Sequence, residues 1–103
     1  MSTSQLLLYS REGCCLCKGL EQRLSKLDLS RLNPPLQLYV VDIDAPSTPA
    51  KVKYLYDLRV PVLAVDNNGI FSELLPIPPR LIGEQLKLWL QRNCTVAFGL
   101  RLN

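Results

Sequence analysis

Histidine is absent from these 103 residues. That absence excludes Ser-His-Asp and Cys-His catalysis, and every zinc site that needs imidazole. No apolar run approaches the roughly 20 residues needed to span a bilayer, so no membrane anchor is expected. The N-terminus lacks a basic region leading into a long apolar stretch and a small-residue cleavage site, the pattern of a secretory signal. A cytoplasmic chain is therefore the expectation. The 12 basic residues outnumber the 9 acidic ones for a net charge of +3, but they are scattered singly. Without a basic stripe, neither nucleic acid nor an anionic membrane is an expected partner. Repeats and low-complexity linkers are missing too. With 48% hydrophobic and 20% charged residues, the chain has the composition of one folded domain over residues 1–103, since this length buries a single core but hardly two.

What is present reads as an α/β chain. Leu6 to Ser10 is a short apolar run bounded by polar residues, which suits a buried strand. From Cys15 onward Leu16, Leu20, Leu24 and Leu27 recur at helical spacing, with charged residues on the other faces. Asn33-Pro34-Pro35 punctuates the exit, and Leu36 to Ile43 is β-branched and aromatic, a second strand. Thr48-Pro49 predicts a helix start, a hydroxyl cap with proline at the first helical position. Val52, Leu55 and Tyr56 supply that helix's apolar side. Pro61 to Val65 is a third strand, Asp66-Asn67-Asn68-Gly69 a turn, and Ile70 to Leu75 a fourth strand closing a hairpin. After the proline-rich Pro76-Ile77-Pro78-Pro79, residues Leu81, Ile82, Leu86, Trp89 and Leu90 lie at helical spacing. The order βαβαββα implies a four-stranded mixed sheet flanked by helices. The apolar tail Val96-Ala97-Phe98 is free to pack on the domain or on a partner, and a monomer is the default.

Three of the four cysteines crowd into Cys14-Cys15-Leu16-Cys17, between the first strand and the first helix. A Cys-x-x-Cys pair in that place, with no second metal-ligand pair beside it, is the sequence form of a thiol–disulfide redox site. Residues three apart are neighbours on a helix, so Cys14 and Cys17 share a face while Cys15 turns away by about 100°. Cys14 and Cys17 are the working pair and Cys15 the spare. Cys14, at the extreme N-terminus, meets unpaired N–H groups and the positive end of the helix dipole. Such thiols commonly fall from a pKa of about 8.5 to roughly 3.5–7.5. At a pKa of about 6 the thiolate fraction at pH 7 rises from about 3% to about 90%, while intrinsic nucleophilicity drops by roughly tenfold. The two effects nearly cancel for attack, and the gain is chiefly in Cys14 as a leaving group. Arg11 and Lys18 add positive potential or are ordinary exposed charges. An all-thiolate zinc clip and inert buried thiols are the competing readings, with Cys94 far off on the last helix as a simple buried thiol.

The run from Leu8 to Cys17, LYSREGCCLC, resembles the strand-loop-helix start of glutaredoxins, and Arg59-Val60-Pro61 resembles their valine–proline step. The order of elements is similar to the thioredoxin fold over essentially the whole chain, most of all to small bacterial glutaredoxin-like domains of poorly defined role. The resemblance implies a thioredoxin fold, Cys14 as nucleophile, Cys17 as resolving thiol, and Pro61 in cis facing them. It implies substrate contact by Val60, whose backbone would pair with a substrate chain, and by Pro61 and Arg11. Three departures matter. Cys15 stands where many glutaredoxins have proline. The stretch from Leu75 to Arg80 lacks the Gly-Gly pair that binds glutathione, so glutathione is not supported as the dedicated reductant. Leu8 replaces the buried acid of thioredoxin, leaving no evident proton acceptor for Cys17.

The expected function is therefore a small thiol–disulfide oxidoreductase acting on a disulfide-containing protein or small thiol substrate, with no resident cofactor and no metal. A redox-sensing or protein-binding module with little turnover is the alternative, followed by an iron–sulfur or metal carrier bridging two copies through Cys14.

Overall fold

The computed structural model describes residues 4–78 and 80–97. Strands and helices follow as β1 (Ser4–Ser10), α1 (Cys15–Ser25), β2 (Leu36–Asp42), α2 (Ala50–Tyr56), β3 (Val62–Asn67), β4 (Ile70–Glu73) and α3 (Gly83–Ala97), with one 3-10 turn at Leu29–Arg31. This is the predicted order. The sheet runs β2-β1-β3-β4, with β1 parallel to β2 and antiparallel to β3, and β4 antiparallel to β3. One parallel pair among antiparallel ones makes the sheet mixed, as the helix between β1 and β2 requires.

Period-two alternation sends the strand side chains to two different cores. Leu6 and Leu8 of β1 join Leu63 and Val65 of β3 against Leu20 and Leu24 of α1 and Leu86 and Leu90 of α3. On the opposite face Tyr9, Val62 and Ala64 pack with Tyr56 of α2, beside half-buried Val52. Two helices thus cover one face and a two-turn helix covers part of the other. The Tyr9 and Tyr56 rings lie 4.5 Å apart between centroids.

Several boundaries differ from the sequence expectation, each for a local reason. Thr48 does not cap α2; its hydroxyl donates instead to the Asp42 carbonyl at 2.6 Å. Pro49 is the N-cap rather than the first helical residue, its carbonyl accepting from the Val52 and Lys53 amides. Leu55 is exposed, because α2 is short and only Val52 and Tyr56, four apart, share its inward face. β3 starts at Val62, since Pro61 has no N–H to donate. It runs on to Asn67, so the turn tightens to Asn68-Gly69. Both turn residues have positive φ, 55° and 89°, as a two-residue type I′ hairpin demands. β4 ends at Glu73, although the Leu74 amide still donates to the Leu63 carbonyl at 2.8 Å. α3 begins only at Gly83, after Leu81 and Ile82, and extends past the predicted stripe to Ala97. Pro79 and Phe98 lie outside the described residues.

Two leucines of α1 provide an internal comparison. Leu24 is fully buried and Leu16 is 66% exposed. Leu24→Ala should cost about 2–5 kcal/mol, and Leu16→Ala within about 0.5 kcal/mol of nothing. Urea denaturation of the two variants measures both; equal losses would mean that α1 does not sit on the sheet by this face.

Candidate functional site

The site grows from the end of β1. After Ser10 the chain must reverse into α1, and the Cys14 amide closes the turn by donating to the Arg11 carbonyl at 3.3 Å. Gly13, third in that turn, has φ of +83°, the left-handed conformation that favours glycine. A glycine one residue before the first cysteine was a sequence signal for this turn, and the motif reading passed over it. The turn delivers Cys14 as the N-cap of α1, its sulfur accepting from the Cys17 amide at 3.2 Å. No acidic side chain occupies the first turn of α1, so no carboxylate there competes for the positive end of the dipole.

A disulfide joins Cys14 to Cys17, with Cα atoms 5.2 Å apart, inside the ordinary range for such bridges. Cys14 is half-buried and Cys17 fully buried, so solvent meets the bridge from the Cys14 side. Cys15 is a free, exposed thiol, as its divergence on the helix predicts; Cys94 is free and buried. Burial pushes the Cys94 thiol up to about 12, which leaves it protonated and inert at neutral pH. Leu8, the residue in place of an acid, is fully buried. Among the described residues no group of three or more Cys, Asp or Glu is arranged to hold a metal ion.

Val60 and Pro61 come to the same end of the sheet. Tyr9 pairs with Val62 across the β1–β3 ladder, so the exit of β1 toward Cys14 and the entry of β3 from Pro61 are neighbours. The Val60–Pro61 peptide is cis. The Arg59 and Val60 amides both donate to the Tyr56 carbonyl, at 3.0 and 3.2 Å, which hangs this segment on the end of α2. Arg59 lies 5.4 Å from the centre of the Tyr56 ring and pairs with Glu73 of β4. Burial, then the Glu73 charge, pushes the Tyr56 hydroxyl up to about 12.

Arg11 is the residue whose place is most informative. Its Nε and one terminal nitrogen bond the two carboxylate oxygens of Asp44 at 3.0 and 2.9 Å. The terminal nitrogens also donate to the Asp57 carbonyl at 2.8 Å and its carboxylate at 2.7 Å. Asp44 and Asp57 carry no local motif and lie 33 and 46 residues away, so nothing in the sequence linked them to Arg11. Lys53 reaches Asp44 as well, at 3.2 Å. Two depressions open near this end of the sheet, one of them lined by cysteines. A groove of about 480 Å³ on the β2 side is lined by Cys14, Cys15, Lys18, Glu21, Val40 and Asp42, among others. A smaller cleft of about 240 Å³ on the β4 side includes Pro61, Glu73, Leu75 and Ile77.

Hydrogen bonds from Arg11, then from Lys53, hold the Asp44 carboxyl down at about 2 against an ordinary 3.8. A carboxyl depressed by folding stabilises the fold where it is ionised, and that contribution is lost as pH falls through the folded value. The stability difference between wild type and Asp44→Asn should therefore be flat above about pH 5, shrink steadily below that and be mostly gone by about pH 2. Urea denaturation of both proteins over that range measures it, and a difference that persists unchanged to pH 2 would remove the charged pair as its source.

A family model described as a glutaredoxin-like domain matches residues 5–91. Curated protein sequences contain no match to the chain. Among solved structures, a structural-genomics target protein from X. campestris is 28% identical, with a TM-score of 0.51 over 84% of this chain and 96% of that one. Thioredoxin O2 from Arabidopsis thaliana in the oxidized state is 20% identical, with a TM-score of 0.57 over 88% of this chain and 75% of that one. The first thioredoxin domain of mouse protein disulfide-isomerase A4 is 14% identical, with a TM-score of 0.63 over 99% of this chain and 69% of that one. At such low identity the last two speak for the fold alone, and that fold is the four-stranded mixed sheet with three helices already described. With its Cys14–Cys17 disulfide at the head of α1 and a family match covering most of its length, the chain belongs to the glutaredoxin-like domain family.

Proposed function

We propose that this domain is a thiol–disulfide oxidoreductase in which Cys14 is the nucleophile and Cys17 the resolving thiol. The observation that carries the reading is the asymmetry of the pair. Cys14 is accessible and its sulfur takes a hydrogen bond from the Cys17 amide, while Cys17 is sealed behind it. An amide donor and a helix N-terminus both favour the thiolate at Cys14 over the thiol.

In the reduced protein the Cys14 thiolate attacks one sulfur of a substrate disulfide. A Cys14–substrate disulfide forms and the other half leaves as a thiolate, which takes a proton from water. Cys17 loses its proton to solvent and attacks Cys14, closing the Cys14–Cys17 bridge and releasing the second half as a thiol. Two electrons pass from the dithiol to the substrate, which leaves as two thiols.

The surroundings favour a polypeptide substrate. Leu16, Leu58 and Leu75, near the cysteines or the Val60–Pro61 segment, are 66%, 95% and 69% exposed, a set of apolar contacts that suits a protein chain. Val60 would offer its backbone to that chain, with Pro61 beside it. No resident cofactor enters these steps. Leu75, Pro76 and the residues up to Arg80 include no glycine pair, so glutathione is one small-thiol reductant among others rather than a dedicated one. A cytoplasmic setting, where small thiols return the pair to the dithiol, fits this reading.

Cys17→Ser should accumulate a mixed disulfide through Cys14 when the reduced variant meets a protein disulfide, seen as a covalent adduct by non-reducing mass spectrometry. Cys14→Ser should form none and should show no turnover above background in a coupled insulin-reduction assay. A Cys17→Ser protein whose adduct maps to Cys15 instead would overturn the assignment of roles.

A further inference from the structure

We propose that Arg11 is a positioning residue that sets the gap between Cys14 and the Val60–Pro61 wall. The inference rests on the oxidoreductase reading above and assigns Arg11 a task other than substrate contact.

The geometry of one side chain carries it. A guanidinium has five N–H donors, and Arg11 makes four hydrogen bonds to Asp44 and Asp57. One N–H is left over, so a substrate carboxylate could not take the two-point grip of a guanidinium without displacing one of the chain's own. The main chain of Arg11 meanwhile accepts the Cys14 amide. Thus Arg11 holds Cys14, three residues on, through its backbone. It holds Asp57, three residues before Val60, through both the carbonyl and the carboxylate of that residue. The third anchor, Asp44, is secured in turn, its amide bonded to the Asp42 carboxylate at 2.9 Å and its own carboxylate to Lys53 of α2. One planar fork therefore ties the β1–α1 turn to the segments on either side of α2.

An exposed ion pair by itself contributes little. A fork that grips two loops in fixed directions contributes orientation, which Lys cannot reproduce with a single point charge. Attack by Cys14 needs the substrate disulfide in line with its sulfur while the substrate chain lies along Val60. The distance between these two elements is what the fork controls.

The test uses the full chain in a Cys15→Ser background, so that alkylation reports Cys14 alone at the exposed end of the site. Iodoacetamide reads the thiolate of Cys14, and reduction of insulin disulfides with dithiothreitol as electron donor reads the two-wall geometry. Arg11→Lys and Arg11→Met should each slow insulin reduction by on the order of tenfold, since misplacement by an ångström is costly in such steps. The alkylation rate of Arg11→Lys should stay within about twofold of the parent, because its charge is kept. Restoration of insulin reduction by lysine would assign Arg11 a charge role, and a parallel fall in both rates would assign it to the thiol; either overturns the proposal. Asp57→Ala, which removes one anchor and leaves the rest, should show the same selective loss, and the double variant Arg11→Met/Asp57→Ala should be no worse than Arg11→Met alone. Additive losses would overturn the link between the two residues. Independently of turnover, hydrogen exchange of the Cys14, Arg59 and Val60 amides should accelerate together in Arg11→Met. Unchanged exchange at Arg59 and Val60 overturns the clamp, whereas a parent protein that reduces no insulin overturns the oxidoreductase reading and leaves the exchange result to decide the clamp.

Discussion

Everything at the site hangs on β1 being unable to move. The strand is bonded on both edges, to β2 over all seven of its residues and to β3 over five. Its side chains are buried on both faces, Leu6 and Leu8 toward α1 and α3, Tyr9 toward α2. A slip of one residue against either neighbour would turn every one of these to the wrong side. The end of β1 is consequently a fixed point, and the four residues after it build the site on that position. Arg11 reaches sideways to two loops, Gly13 reverses the chain, and Cys14 starts the helix. A reactive group placed a few bonds beyond a doubly paired strand inherits its rigidity, which is why functional groups so often follow strand ends.

The four cysteines show how far environment separates one residue type. Cys94, buried in the larger core, is held protonated by desolvation alone. Cys17 is equally buried but bridged to Cys14. Cys14 is the half-exposed member, with an amide donor on its sulfur, and Cys15, one residue on, is exposed and free. Neither composition nor count distinguishes them. The helix phase does, because three residues bring Cys17 back beneath Cys14 while one residue throws Cys15 outward.

Those parts of the fold that rest on short-range periodicity were legible in the sequence. The apolar run of β1, the leucine spacing of α1 and the turn residues Asp66-Asn67-Asn68-Gly69 each specify an element within a window of a few residues. So was the partition of the cysteines. Where the reading slipped, a local signal was outcompeted by a tertiary one. Thr48 is an adequate helix cap, yet its hydroxyl bonds the Asp42 carbonyl at the end of β2 instead. Leu55 carries the apolar mark of a core residue, yet two turns of helix bury only the Val52 and Tyr56 face. Arg11 shows what a single sequence hides: its partners in space, Asp44 and Asp57, could be found only once the sheet order had brought the β2–α2 and α2–β3 connections to the end of β1. Pairings between isolated charges at such separations leave no pattern in a single sequence.

Those pairings also bear on what the site recognises. Arg11 and Lys53 face Asp44 and Asp57, two positive charges against two negative, so the cluster beside Cys14 is electrically balanced. Arg59 is likewise matched by Glu73 next to Pro61. Balanced pairs of this kind project little field beyond about a Debye length, roughly 8–10 Å at ordinary salt. Long-range attraction of an anionic small thiol is then a poor basis for selectivity here, because Arg11, Lys53 and Arg59 are engaged and Lys18 shares the Cys14 groove with Glu12, Glu21 and Asp42. Around them the fold leaves exposed apolar side chains: Leu16 at the head of α1, Leu58 before the cis peptide, and Leu75 in the cleft beyond Pro61. On the proposed reading, a substrate that meets these leucines and pairs with the Val60 backbone would be chosen by its shape and its unfolded or extended state rather than by its charge. Under the proposed function that preference is the one expected of a reductant of polypeptide disulfides, and it accords with the four hydrogen bonds that engage Arg11.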